Sequence, residues 1–98
     1  MAYVVIARWR AKLGSEEIVL DAIRRLTPLS RAEPACLLYQ PSRDPGNPRE
    51  FVLIEIYTDE AGYQAHLESE HFQRLGFGQA IPALESRTRE FYETIDAG

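Results

Sequence analysis

Two imidazoles stand close together in Tyr63-Gln-Ala-His66-Leu-Glu-Ser-Glu-His71-Phe72, just after a strand-like run carrying Glu55 and Tyr57. An imidazole changes charge near neutrality, which suits a general base that takes a proton from a weakly acidic hydroxyl. His66 is the candidate catalytic base, or hydrogen-bond partner to a substrate hydroxyl, because Tyr63 and Leu67 beside it are pocket-compatible. The same residue also fits a histidine that satisfies a helix end or a core hydrogen bond. His71 lies roughly 140° further round an uninterrupted helix, so the two rings converge only if the helix breaks near Ser69. His71 otherwise reads as a capping or interface residue. The pair lacks the i, i+4 spacing of a helical metal site and no third ligand stands near it in sequence, so no metal centre is expected.

Glu55 shares a strand face with Leu53 and Tyr57. A lone carboxylate buried there would cost several kcal/mol, so it requires a partner. Arg8 and Arg87 are the arginines proposed for it, in a structural pair at a dimer interface. Trp9, Tyr57, Phe72, Phe77 and Tyr92 are candidates for an aromatic lining. Of the aromatics, Trp9, Tyr57, Tyr63, Phe72 and Phe77 are the candidate substrate contacts, although aromatics at such spacing also serve as core.

The elements that must position these groups follow from periodicity. Tyr3 to Arg10 is β-branched and aromatic, a first strand. After the turn at Lys12-Leu-Gly14, Ser15 is a suitable N-cap. Ile18, Val19, Ala22, Ile23 and Leu26 then recur at helical spacing. Pro28 predicts a kink or an end near Leu26, with a looser helical tail to Glu33. Cys36 to Arg43 and Phe51 to Tyr57 read as strands joined across Asp44-Pro-Gly-Asn-Pro48. Thr58-Asp59-Glu60 caps a second helix, Ser69 a restarted one, and Ser86 to Ile95 alternates as a fourth strand. Gly76 and Gly78 weaken the restarted helix. Phe72, Leu75, Ile81 and Leu84 are its inward candidates.

The order β-α-β-β-α-β predicts an α+β, ferredoxin-like antiparallel sheet with both helices on one face. Val52, Ile54 and Ile56 alternate with Phe51, Leu53, Glu55 and Tyr57. Val4 and Ile6 likewise alternate with Tyr3, Val5, Ala7 and Trp9. Both sheet faces are therefore apolar while helices cover one, which predicts a homodimer with two sheets packed face to face.

Ninety-eight residues form one domain spanning 1–98, and an apolar content of 45% is that of a globular chain. A net charge of −4 argues against nucleic-acid binding. No run approaches the ~20 apolar residues of a membrane span, and a cytoplasmic protein is expected. The lone Cys36 forms no internal disulfide and reads as a small buried hydrophobe.

With this topology the chain resembles the antibiotic biosynthesis monooxygenase family of dimeric α+β barrels. The resemblance rests on Val5-Ile-Ala-Arg with Gly14, and on Glu33-Pro-Ala-Cys-Leu-Leu-Tyr39, where the family usually has E-x-G-C-x-x-Y. It continues through Phe51-x-Leu-x-Glu55-x-Tyr57-x-Asp-x-x-x-Tyr63-x-x-His66-x-x-Ser-x-His71-Phe72. Ala35 replaces a frequent glycine and Tyr57 a common tryptophan. The resemblance implies an oxygenase that acts on a small phenolic or quinol-type aromatic with O₂, without flavin, haem or metal. A haem-degrading sister group has an asparagine and a histidine ligand where this chain has Ala7 and approximately Gly76, which disfavours haem. The same barrel also suits a non-catalytic dimeric module binding an apolar ligand or a protein partner, and an isomerase or lyase.

Overall fold

The computed structural model describes residues 1–95. Strand β1 (Tyr3–Ala11) leads through helix α1 (Glu16–Arg31) to strands β2 (Cys36–Arg43) and β3 (Glu50–Tyr57). Helix α2 (Glu60–Glu68) follows, then a π-helical segment (Phe72–Ala80), a 3₁₀ turn (Ile81–Ala83) and strand β4 (Leu84–Glu93). The four strands form one antiparallel sheet in the order β2-β3-β1-β4. This is the ferredoxin-like α+β arrangement.

The period-2 alternation decides which face each strand residue serves. Val5, Ala7 and Trp9 of β1 and Phe51, Leu53, Glu55 and Tyr57 of β3 are buried on the helix-covered face. The register pairs Val5 with Glu55, Ala7 with Leu53 and Trp9 with Phe51. Val19, Ala22, Ile23 and Leu26 of α1 are the residues packed onto this face. On the opposite face Val4, Ile6, Val52, Ile54 and Ile56 are half-buried, with no helix over them.

Three local expectations change. Helix α1 continues through Pro28 as one element to Arg31. A proline inside a helix costs about 3 kcal/mol, whereas Val19, Ile23 and Leu26 each contribute about 1.5–3 kcal/mol by burial. Pro28 lies on the exposed side, where water can serve the carbonyl it leaves unpaired. Its own carbonyl accepts from the Ala32 N–H at 3.2 Å, and Arg31 Nε donates to the Tyr39 carbonyl at 3.0 Å, which holds the last turn. Ser15 occupies the cap position without a side-chain capping bond; the Gly14 N–H instead donates to Glu16 Oε1 at 3.0 Å. Gly14 has φ of +86°, which the tight turn out of β1 requires and other residues rarely adopt. Strand β4 begins at Leu84, inside the stretch expected to be helical, because the 3₁₀ turn at Ile81–Ala83 ends the helical run.

Asp59 does cap α2, its Oδ1 accepting from the Gly62 N–H at 2.8 Å. Gly62 sits against the loop before β2. A Cβ there would lie 2.7 Å from Ala35 Cβ and 3.3 Å from Tyr57 Cβ. Gly→Ala within a helix ordinarily gains up to about 1 kcal/mol, but overpacking costs about 1–3 kcal/mol. Gly62→Ala is therefore expected to lower the urea midpoint, and adding Ala35→Gly to recover part of the loss. A Gly62→Ala chain as stable as the parent would show that the two elements separate freely.

Candidate active site

The site is assembled where α2 crosses β3. Tyr57 and Glu55 point to the same side of the strand, and the Tyr57 hydroxyl donates to Glu55 Oε1 at 2.6 Å. His66, in the last turn of α2, is 1% exposed. Its Nδ1 lies 2.8 Å from Glu33 Oε2, and its Nε2 lies 3.9 Å from Glu55 Oε1. The same Glu33 oxygen lies 2.5 Å from His71 Nε2.

His66 and His71 converge because the helix breaks between them. Ser69 takes an extended conformation, its hydroxyl donates to the His66 carbonyl at 2.6 Å, and its Oγ accepts from the Phe72 N–H at 3.2 Å. The chain then re-enters helical geometry with His71 turned back toward Glu33. His71 makes no side-chain capping bond. Glu33, in the connection from α1 to β2, is the third donor near the two histidines, against the expectation that none stood close. In sequence Glu33 stands only as the first residue of the Glu33–Tyr39 motif, and its proximity to His66 is purely tertiary.

Burial would raise the Glu33 carboxyl, but hydrogen bonds and charges from His66 and His71 outweigh it and hold the group below its ordinary value. The ionised carboxylate accepts only, so His66 Nδ1 and His71 Nε2 are the protonated nitrogens. The His66 Nε2 lone pair is left facing Glu55. This is the tautomer-setting relation of a carboxylate to a basic histidine.

Glu55 has Tyr57 and His66 as neighbours, and of the two expected arginines only Arg87 acts on it, through charge. Arg8 lies on the opposite face by strand parity and pairs with Glu90 at 3.0 Å. Arg87 shares the inner face, but no hydrogen bond joins it to Glu55 among the described residues. Glu55 therefore belongs to the interior beneath α2 rather than to the open sheet face. Its pKa is raised by burial, an effect that His66 when protonated and the Tyr57 hydrogen bond oppose only partly. Burial and the Glu55 charge push the Tyr57 phenol far above its ordinary value.

A group with a raised folded-state pKa costs stability above that pKa. The cost disappears as pH falls through it toward the unfolded value. Glu55→Gln keeps an acceptor for Tyr57 and removes the charge. The variant is expected to melt several degrees higher than the parent at pH 8, with the gap closing below about pH 5. Glu33 contributes in the opposite sense, but equally to both proteins. Thermal melts at both pH values check this, and equal melting temperatures at pH 8 would count against a destabilising Glu55 charge.

His66, Glu55, Tyr63, Trp9 and Phe72 line a cavity of about 10 Å³ between α2 and the sheet, the threshold volume for a single water. Tyr39, Arg87 and Arg89 also reach it. Among the described residues, buried Trp9 Nε1, Arg87 Nε, Tyr39 Oη and Ser30 Oγ have no hydrogen-bond partner, the Ser30 and Tyr39 hydroxyls lying close enough to act on each other. Buried polar atoms are ordinarily paired, and Trp9 and Arg87 bring two unpaired donors to the residues around one cavity. The sequence reading did not single out Tyr39. A β-bulge at Cys36/Leu38 shifts the β2 register, pairs Tyr39 with Glu55 and buries it inward. Arg89 Nη1 donates to the Tyr63 hydroxyl at 2.9 Å. Tyr57 is joined to the site through Glu55 instead of lining the cavity. Phe77 is 42% exposed, packed edge-on against Phe72 with the Arg87 guanidinium over its ring. Tyr92 is 54% exposed and on the uncovered face. Cys36 is half-buried, and burial together with Glu33 and Glu55 raises its thiol pKa, so it is not a ready thiolate.

Fold and site together define a small α+β domain of the ferredoxin-like class with a carboxylate-oriented histidine beneath its second helix. Residues 2–75 match the antibiotic biosynthesis monooxygenase family, and the chain belongs to that family. A crystal structure of an antibiotic biosynthesis monooxygenase is 32% identical with a TM-score of 0.88, covering 96% of this chain and 99% of that one. A Pseudomonas aeruginosa protein is 29% identical at a TM-score of 0.88, covering 97% and 95% of the two chains. A Shewanella oneidensis protein is 28% identical at 0.84, covering 93% and 88%. No curated protein matches the chain. Among the described residues, no helix is long and apolar enough to cross a membrane.

Proposed function

We infer that the protein oxidises a small phenol or quinol with O₂, with His66 as the base and all the electrons for O₂ drawn from the substrate. The observation that supports this most directly is the meeting of His66 with the cavity around which Trp9 and Arg87 leave N–H donors unpaired. A base beside a dry, donor-lined space is what a reactive phenolate needs.

In this reading His66 Nε2 takes the phenolic proton while Glu33 stabilises the imidazolium through Nδ1–H. The phenolate passes one electron to O₂, the radical pair joins at a ring carbon, and the peroxide anion takes the proton back from His66 to give a hydroperoxide that loses water. One phenol and one O₂ become one quinone and one water, so no external reductant enters. Tyr57, its phenol proton held by Glu55, stays protonated and does not compete as a base. The indole and guanidinium donors are suited to the developing oxyanion.

The half-buried aliphatic stripe of Val4, Ile6, Val52, Ile54 and Ile56 supports a homodimer, a second copy covering the open sheet face. The test of function is O₂ consumption by purified protein offered a panel of mono- and bicyclic phenols and quinols. Substrate-dependent uptake with quinone appearing in equal amount is expected. Saturable binding without O₂ uptake across the panel would instead identify a ligand-binding module.

A further inference from the structure

We propose that Glu33, His66 and His71 form a binding site for a first-row divalent transition-metal ion such as zinc or iron(II), on the side of His66 facing away from the cavity. Glu33 Oε2, His66 Nδ1 and His71 Nε2 all lie within 4.8 Å of one another. They arrive from three separate elements: the α1–β2 connection, the last turn of α2, and the turn beyond Ser69. Two ligands held about 2.0–2.2 Å from one ion sit roughly 3 Å apart. The carboxylate oxygen already lies 2.8 and 2.5 Å from the two nitrogens. To seat the ion, each nitrogen draws a few tenths of an ångström away from the oxygen, and the two nitrogens, which lie within 4.8 Å of one another, close toward each other by side-chain rotation.

The donor set is chemically specific. Two imidazoles and one carboxylate suit zinc and iron(II), and they leave coordination positions for water or a further ligand. Access is provided on one side. The Glu33 and His71 side chains are 14% and 16% exposed, while His66 at 2% forms the inner wall.

A second observation points the same way. Metal-bound histidines usually donate their other ring N–H to a carboxylate. The other nitrogen of His66 faces the buried Glu55 carboxylate at 3.9 Å, and Glu55 is itself fixed by Tyr57. A cation on Nδ1 leaves the ring proton on Nε2, directed at Glu55, so that the buried carboxylate faces an N–H in addition to the Tyr57 hydroxyl.

Occupancy therefore changes what His66 offers the cavity. With Nδ1 on a metal, Nε2 is an N–H and no longer accepts a proton, so the ion suppresses turnover. This consequence rests on His66 being the base; the metal site does not.

The test begins with tag-free, chelator-stripped full-length protein titrated with Co²⁺ and followed by visible absorption, with Zn²⁺ as competitor. One equivalent should bind with a Kd of about micromolar or tighter, and Zn²⁺ should bleach the signal. His71→Ala and Glu33→Gln should each weaken binding by at least about 100-fold. Because either variant could unfold, histidine-selective NMR of the unaltered protein provides a second readout. The His66 and His71 ring signals should change together at one equivalent of Zn²⁺. Binding no tighter than about millimolar, or His66 and His71 ring signals that stay unmoved by Zn²⁺, would overturn the site and leave Glu33 as a hydrogen-bond hub. Tight binding with turnover undiminished would overturn the base assignment while leaving the metal site intact.

Discussion

Replacing His66 by glutamine is expected to lower phenol-dependent O₂ consumption by about 100- to 10,000-fold, the range a positioned general base contributes. Glutamine is the informative replacement because its amide N–H can still reach Glu33, which keeps the carboxylate partnered. It carries no basic nitrogen to present to the cavity. The ring it removes is packed 4.8 Å from the Phe72 centroid and 5.6 Å from that of Tyr57. Some stability is therefore lost as well, about 1–3 kcal/mol for a change of this kind. A thermal melt separates the two effects, and rates should be compared where both proteins are fully folded. Turnover within about threefold of the parent would remove His66 from the chemistry and leave it a core residue. The neighbouring Tyr57 could not substitute, since burial and Glu55 hold its proton far more tightly than an ordinary phenol.

Ile54→Glu is expected to convert a dimer into a monomer without unfolding the chain. Ile54 pairs with Ile6 across the β1–β3 register and lies between Val52 and Ile56 along its own face. In a single chain that face is open to water, and a carboxylate there stays solvated. In a face-to-face dimer the two-fold axis brings two such carboxylates into an apolar interface. Each would lose hydration without a partner, at several kcal/mol. A penalty of only about 4 kcal/mol already weakens association about 1,000-fold. Sedimentation velocity at micromolar concentration checks this: the parent should run at twice the 11.2 kDa chain mass and the variant at that mass. A parent that sediments as a monomer, or a variant that still dimerises, would refute the packing. Far-UV circular dichroism should be the same for both.

Much of the fold was legible because its signals are local. Alternation in Tyr3 to Arg10 and Phe51 to Tyr57 separates the two faces correctly, although the face carrying Glu55 is the helix-covered one and not the dimer interface expected for it, and Asp59 announces the start of α2. Where local signals compete with tertiary ones, the reading weakened. Pro28 looked like a terminator because its intrinsic cost is local, while the burial that carries α1 past it is not. Ser15 looked like a cap because its type is right, although Glu16 took the neighbouring N–H. At the site, the break at Ser69 was named as the condition for His66 and His71 to meet, and the helix breaks there. What they meet on was not visible. Glu33 is thirty-three residues before His66 in sequence, and only the packing of the α1–β2 connection against α2 joins them. Tyr39 was hidden for another reason: a single unpaired residue in β2 resets which side chains turn inward.

The small size of the cavity beneath α2 has a consequence for how fast and how tightly anything binds there. A space of about 10 Å³ cannot admit an aromatic ring, so a ligand must meet molecules in which Phe72, Tyr63 or Trp9 has already swung aside. Its apparent affinity is then the intrinsic one multiplied by the fraction of open molecules. Each tenfold rarity of the open form costs about 1.4 kcal/mol. Association is capped by the opening rate, so observed binding rates level off as ligand concentration rises. Selectivity in such a protein is exercised at the door as well as at the base: a substrate is chosen partly by which side chains it can wait for.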